Sequence, residues 1–291
     1  MKKLLGLSIC LVLSILSFAQ TNSLDSAWVR ENYYKIERMV PMRDGKKLFT
    51  AIYIPKDTSE KHPILMRRTP YSSAPYGENN YPDAFWNSYY RLYMRENYIM
   101  VVQDVRGKFM SEGEFVDVRP YNTTKTGTQV DEASDTYDAV DWLIKNVPNN
   151  NGNVGAFGIS YPGFYSTMVA LSNHPAVKAV SPQAPVTDWF MGDDFHHNGA
   201  FFIMDAFAFY PSFGAPRPVP TSKSAAPRFT PLADNYSFYL QTGALKNFAK
   251  LMGIALLSGG IFMHILIWMS GGKHAIQGIL CRIFLQIQIH L

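Results

Sequence analysis

The chain has 291 residues, of which 47% are hydrophobic and 17% charged, and its formal net charge is +4. So small an imbalance, with no Lys/Arg cluster interleaved with aromatics, argues against a nucleic-acid partner. Of the two cysteines, Cys10 lies in the N-terminal apolar run and only Cys281 comes after it, so no internal disulfide is expected and stability has to come from packing.

Met1-Lys2-Lys3, the apolar run Leu4 to Leu16 and then Ser17-Phe18-Ala19 have the layout of a secretory signal peptide cleaved after Ala19. The run is short for a bilayer span and Thr21-Asn22-Ser23 come at once after it, which disfavours a membrane anchor. The mature protein is therefore expected to be secreted or periplasmic, with no stable membrane partner. The chain from Gln20 onward is long enough for one substantial core, or one domain and the start of a second.

Short apolar runs rich in β-branched residues then alternate with helical patterns, as in a sheet covered by helices. Strands are predicted near Ile36 to Met42, Leu48 to Ile54, Ile64 to Arg68, Ile99 to Asp104, Val154 to Ile159 and Ala176 to Gln183. Arg43-Asp44-Gly45 makes a hairpin turn between the first two, so the sheet opens antiparallel. Helices are predicted over Asp83 to Glu96, Ser134 to Asn146 and Tyr161 to Asn173, the second with Ser134 as N-cap and with Tyr137, Val140, Asp141 and Ile144 at helical spacing. Asn149-Asn150-Asn151-Gly152 turns that helix into the next strand.

From about Asp188 the sequence becomes aromatic, Pro-rich and poorly periodic, with Phe201-Phe202 and Tyr210-Pro211-Ser212-Phe213, and reads as an excursion out of the sheet. Ser222 to Pro231 reads as an exposed loop. From Ile254 to Leu291 there is no Asp, Glu, Asn, Pro, Thr, Tyr or Val, although all are common earlier. Out-of-frame translation explains this change best. A membrane helix over Ile254 to Met269 is the competing reading, broken by Ser258-Gly259-Gly260 and His264, and a natural atypical tail is the third. The expected organisation is a signal peptide over 1–19, the N-terminal part of a catalytic domain over 20–187, the start of a cap over 188–253 and an anomalous tail over 254–291.

Gly158-Ile159-Ser160-Tyr161-Pro162-Gly163 falls where a predicted strand meets a predicted helix, the setting of a nucleophile elbow. The turn strains the serine and admits only small neighbours, hence Gly158 and Gly163. Ser160 is thus the candidate nucleophile. The amide of Tyr161, at the helix N-terminus, is a candidate oxyanion donor. Pro162 replaces the more usual glycine at little cost, since proline is accepted in a first turn. An ordinary βα turn with a chance serine is the bland reading of the same residues.

With Val102-Gln103-Asp104-Val105-Arg106-Gly107, Ser111-Glu112-Gly113-Glu114-Phe115, Met42-Arg43-Asp44-Gly45 and Arg68-Thr69-Pro70-Tyr71, this elbow resembles the X-Pro dipeptidyl-peptidase and cocaine esterase family over roughly Ile36 to Lys250. Within it, the likeness is greatest to α-amino-acid ester hydrolases and glutaryl-cephalosporin acylases. The resemblance implies an α/β-hydrolase fold, here truncated with the beginning of a helical cap. It implies a serine hydrolase that needs no cofactor and acts on small acyl esters, amides or short peptides, and it leaves homo-oligomers open. It also implies that the Tyr71 hydroxyl is the second oxyanion donor, against plain packing on a loop, and that Asp194 meets a substrate ammonium. Asp193 is an equally good candidate for that role, and a solvated acidic loop is the alternative for both. Asp104 and Arg106 are expected to pair with each other beneath the site. His196 and His197 lack a third ligand, so no metal is expected.

In this fold the triad acid and histidine come after the nucleophile in the chain, and in this family they come after the cap. The recognisable sequence stops before them, and His264, His274 and His290 lie in a tail with no acid. The 291-residue chain is therefore expected to be inactive, either as a damaged or misread copy of an acyl hydrolase or, alternatively, as a non-catalytic product that binds peptides or does nothing.

Overall fold

The computed structural model describes residues 25–187 and, beyond them, 196–197, 200–213, 217, 219–226, 234–244, 247–248 and 251. The expected signal peptide and the anomalous tail lie outside the described residues.

Helix α1 (Ser26–Asn32) leads into the hairpin of β1 (Tyr33–Pro41) and β2 (Lys47–Pro55), which pair antiparallel from Tyr33↔Pro55 to Pro41↔Lys47. Gly45, at φ 82°, turns the chain between them. After β3 (His62–Thr69) come two short helices, α2 (Ala84–Asn87) and α3 (Tyr90–Arg95), and then β4 (Ile99–Asp104). The single helix expected over Asp83 to Glu96 is thus two. The break has a local cause: the Ser88 hydroxyl donates to the Ala84 carbonyl and accepts from the Tyr90 amide, and Ser88 is extended.

Helix α4 (Glu132–Asn146), β5 (Asn150–Ile159), α5 (Tyr161–Leu171) and β6 (Val177–Gln183) complete the six-stranded sheet, in the order β1-β2-β4-β3-β5-β6. Within this sheet β1–β2 and β2–β4 pair antiparallel, while β4, β3, β5 and β6 run parallel. The N-cap of α4 is Asp131, not Ser134. Ser134 is the third helical residue and closes a capping box, its amide donating to the Asp131 carboxylate and its hydroxyl accepting from the Asp131 amide.

Period-two alternation fills both faces of the sheet. Ile52, Ile54, Ile64, Met66, Ile99, Val101 and Val154 pack on one side with Ala139, Val140 and Leu143 of α4 and Val169 of α5. Ala51, Tyr53, Leu65, Met100, Val102 and Phe157 pack on the other with Val29, Phe85 and Met94. All six residues of β4 are buried, whereas β6, at an edge among the described strands, is exposed along most of its length. Beyond the sheet lie a two-residue ladder, β7 (His196–His197) with β8 (Ala200–Phe201), and helices α6 (Ile203–Phe213) and α7 (Asn235–Thr242). Phe209 and Phe213 of α6 and Phe238 of α7 join Tyr161, Phe164 and Tyr165 in a third cluster.

Candidate active site

Strand β5 ends at Ile159 and α5 starts at Tyr161, leaving one residue to make the corner. That residue, Ser160, has φ 63° and ψ −121°, a region that side-chain-bearing residues rarely occupy and that costs about 1–3 kcal/mol. Its backbone is held on every side. The Ser160 amide donates to the Gln183 carbonyl at 2.9 Å, and its carbonyl accepts from the Phe164 amide at 3.2 Å and the Val186 amide at 3.4 Å. A Cβ at position 158 would stand 2.1 Å from the Pro162 carbonyl oxygen, and one at position 163 would stand 2.7 Å from that of Gln183. Both positions therefore require glycine, because the strand and helix touch there through their backbones. Pro162 occupies the first turn of α5. The corner leaves Ser160 exposed to solvent while Tyr161, one residue on, is fully buried.

Tyr71 comes after β3 on the same, carboxyl-terminal side of the parallel strands. Its ring is 44% exposed and stands edge-on to Tyr161 at 6.3 Å, with Phe213 at 5.7 Å and Phe209 at 6.4 Å. The Tyr161 hydroxyl donates to Asp117 and accepts from the Val118 amide at 2.7 Å, and burial pushes its pKa well up, so the phenol stays protonated. The structure thus brings together Ser160, Tyr161 and Tyr71, in an aromatic wall that α6 completes. Lys108 secures that helix. Its ammonium donates to the carbonyl of Phe213 and lies 3.7 Å and 4.0 Å from the ring centres of Phe213 and Phe115. Burial pulls Lys108 down to about 7, against the pull of Asp117. Asp117 and Lys108 carry no local signal that sequence reading could have used, since their partners lie 44 and 105 residues away.

Asp104 and Arg106 do not pair with each other. Arg106 binds Asp135 of α4 and Asp44 of the β1–β2 turn, each at 2.7 Å. Nearby Arg68 binds Glu132 at 3.2 Å and donates to Gln103 at 2.9 Å, so two buried arginines join the hairpin turn, β3, β4 and α4 under the site. Asp104 instead accepts from the amides of Ser73 and Met110 and from the Tyr76 hydroxyl. The expectation failed because Asp135, 29 residues from Arg106 in sequence, offers two parallel hydrogen bonds that a carboxylate two residues away does not.

Asp193 and Asp194 lie outside the described residues. Of the described histidine side chains, His62 begins β3 and bonds the Asp57 carbonyl, while His174 comes after α5 beside Tyr137 and Asp141. Both are at the amino-terminal end of the parallel strands, away from Ser160. No group of three or more His, Cys, Asp or Glu able to hold a metal is found among the described residues.

The family model of the X-Pro dipeptidyl-peptidases (S15 family) matches residues 44–247, from the hairpin turn to beyond α7. The chain belongs to this family. Its members are hydrolases, esterases and peptidases, and the fold is the α/β-hydrolase fold. Among curated S15 relatives, the cocaine esterase of Rhodococcus sp. is 32% identical over 165 residues, 57% of this chain and 26% of that protein. Two solved structures align over most of the chain. An aminopeptidase from a marine-sediment Thaumarchaeota archaeon is 34% identical with a TM-score of 0.69, covering 80% of this chain and 38% of that one. An α-amino-acid ester hydrolase is 37% identical with a TM-score of 0.66, covering 81% and 37%. The chain thus spans between a quarter and two fifths of these S15 relatives.

Proposed function

We propose that this protein carries the nucleophile half of a serine acyl hydrolase, with Ser160 as the attacking residue. The observation that carries the reading is the backbone of Ser160: a strained, solvent-exposed serine at a strand-to-helix corner between two glycines that no other residue could replace. In the proposed reaction the Ser160 hydroxyl loses its proton to a base and adds to the acyl carbon. The Tyr161 amide and the Tyr71 hydroxyl bind the resulting oxyanion, and the leaving alcohol or amine takes up the proton as the carbonyl reforms. Water then releases the acyl group by the same steps in reverse. No cofactor takes part.

The base is a histidine oriented by an acid, supplied by parts of the family's catalytic domain other than the described residues. The substrates we propose are small acyl esters and amides: α-amino-acid esters, X-Pro peptides or β-lactam acyl groups. A free amine on the acyl side would meet Asp194. The S15 relatives named aminopeptidase and α-amino-acid ester hydrolase support this choice. The second reading, a non-catalytic product, is favoured by the positions of the described histidines, both remote from Ser160.

A fluorophosphonate probe separates the two. A longer form carrying the family's acid and histidine should be labelled at Ser160, and its Ser160→Ala variant should not, while the 291-residue chain should stay unlabelled. Labelling of the 291-residue chain at Ser160 would overturn the non-catalytic reading. A longer form that folds and resists the probe would overturn the hydrolase.

A further inference from the structure

Asp104 ends β4 fully buried, and among the described residues no cation lies within ion-pair distance of its carboxylate. That is a costly place for an acid, and Asp135 close by shows the ordinary solution, a bidentate arginine. Asp104 is held by three donors instead. Oδ1 accepts from the Ser73 amide at 2.6 Å, and Oδ2 accepts from the Tyr76 hydroxyl at 2.9 Å and from the Met110 amide at 3.2 Å.

The origin of these donors gives the arrangement its meaning. Ser73 and Tyr76 belong to the turn directly after Tyr71, and Met110 to the loop after β4. Tyr71 itself is tied back to β3, its amide donating to the Thr69 hydroxyl at 3.0 Å. The next residue, Ser72, is held at φ 93°, with its hydroxyl 2.9 Å from that of Tyr76 and accepting from the Ala74 amide at 3.0 Å. The Tyr71 backbone is thus fixed from before by Thr69 and from behind by a turn whose anchor is one carboxylate.

We propose that Asp104 is a positioning residue for Tyr71: its carboxylate clamps the 72–76 turn to the end of β4 and so sets where the Tyr71 ring stands against Tyr161 and Phe213. Its catalytic consequence rests on the reading of Tyr71 as an oxyanion donor; the clamp does not. Among the described residues, the titratable or charged groups that face Asp104 are Tyr76 from the turn and Arg217 from the segment after α6, whose guanidinium feels the Asp104 charge. Burial pushes Asp104 up to about 6, with its hydrogen bonds opposing. Protonation of Oδ2 reverses its bond with the Tyr76 hydroxyl and weakens the one accepted from the Met110 amide, so the 72–76 turn is held by a different set of bonds and Tyr71 shifts.

The test is fluorine NMR of the 291-residue chain labelled with 3-fluorotyrosine, with the Tyr71 and Tyr76 signals assigned by Tyr71→Phe and Tyr76→Phe. Between about pH 4.5 and 7.5, a range in which an unperturbed phenol does not ionise, both signals should move with one midpoint near 6. Asp104→Asn should abolish the movement at Tyr71. A Tyr71 signal that stays flat in the unmutated chain overturns the proposal whether or not the variant folds, as does one that titrates unchanged in Asp104→Asn. In a longer, active form Asp104→Asn should lower kcat about tenfold with KM held, and no further once Tyr71→Phe is present; effects that multiply overturn the proposal. Tyr71→Phe with full turnover would instead remove the oxyanion reading and leave the titration standing.

Discussion

The two sides of the site, the corner at Ser160 and the turn after Tyr71, are built on opposite principles. The corner is a backbone object: amide and carbonyl groups from α5, β6 and the stretch after it grip Ser160, and the critical side-chain requirement is the absence of a Cβ at positions 158 and 163. The Tyr71 turn is a side-chain object, held by one buried carboxylate that reaches it from another strand. The corner should therefore break when atoms are added, the turn when a polar atom is taken away.

In a longer, active form, Ser160→Ala should cost the most, on the order of 10⁶-fold in kcat, and stopped-flow or steady-state ester assays will show it. Should that variant keep its rate, the corner is not the site. Gly158→Ala adds one methyl group where 2.1 Å is available. We expect a loss of about 3 kcal/mol or more in urea unfolding, and a stable variant would mean that the strand and helix can part.

Tyr71→Phe should leave the fold intact and lower kcat by a factor of about 10 to 1000; an unaltered rate would return the ring to packing. Tyr76→Phe should be mildest, near 1 kcal/mol of stability, and equal melting curves would show that the two amides suffice for Asp104.

The buried carboxylate also gives the turn a pH dependence. Because the folded pKa of Asp104 is raised above its ordinary value, the native state binds the extra proton, and this contribution to stability grows as pH falls from about 6 toward 4. Melting temperatures of the unmutated chain and Asp104→Asn should therefore diverge in favour of the unmutated chain on acidification. A constant gap would contradict the raised value.

The same contrast explains what could be read from the sequence. The six strands of the sheet, the β1–β2 turn and the corner at Ser160 are written in local periodicity and in glycines at fixed offsets, and each lies where the pattern puts it to within a few residues, β5 departing most by starting at Asn150, inside the expected turn. The partners of Asp104 and Arg106 are not local, and proximity in sequence suggested the wrong pair. Nothing near Asp131 or Ser134 decides which residue caps α4, because both belong to one reciprocal pair of bonds. Asp117 and Lys108 become meaningful only once α5 and α6 have brought Tyr161 and Phe213 to them.

Tyr161 has no solvent-accessible surface although it adjoins an exposed serine. Burying an aromatic side chain contributes about 2–3 kcal/mol, the same order as the strain of the corner it adjoins. The ring therefore acts as ballast: it keeps the first turn of α5 seated while Ser160 is held in a conformation that the chain would otherwise relax. A small side chain at position 161 would preserve the amide in name and let the corner unwind. In a library randomised at that codon and screened for retained fold, the survivors should be dominated by large aromatic residues, even though the proposed oxyanion role uses only the backbone of the residue.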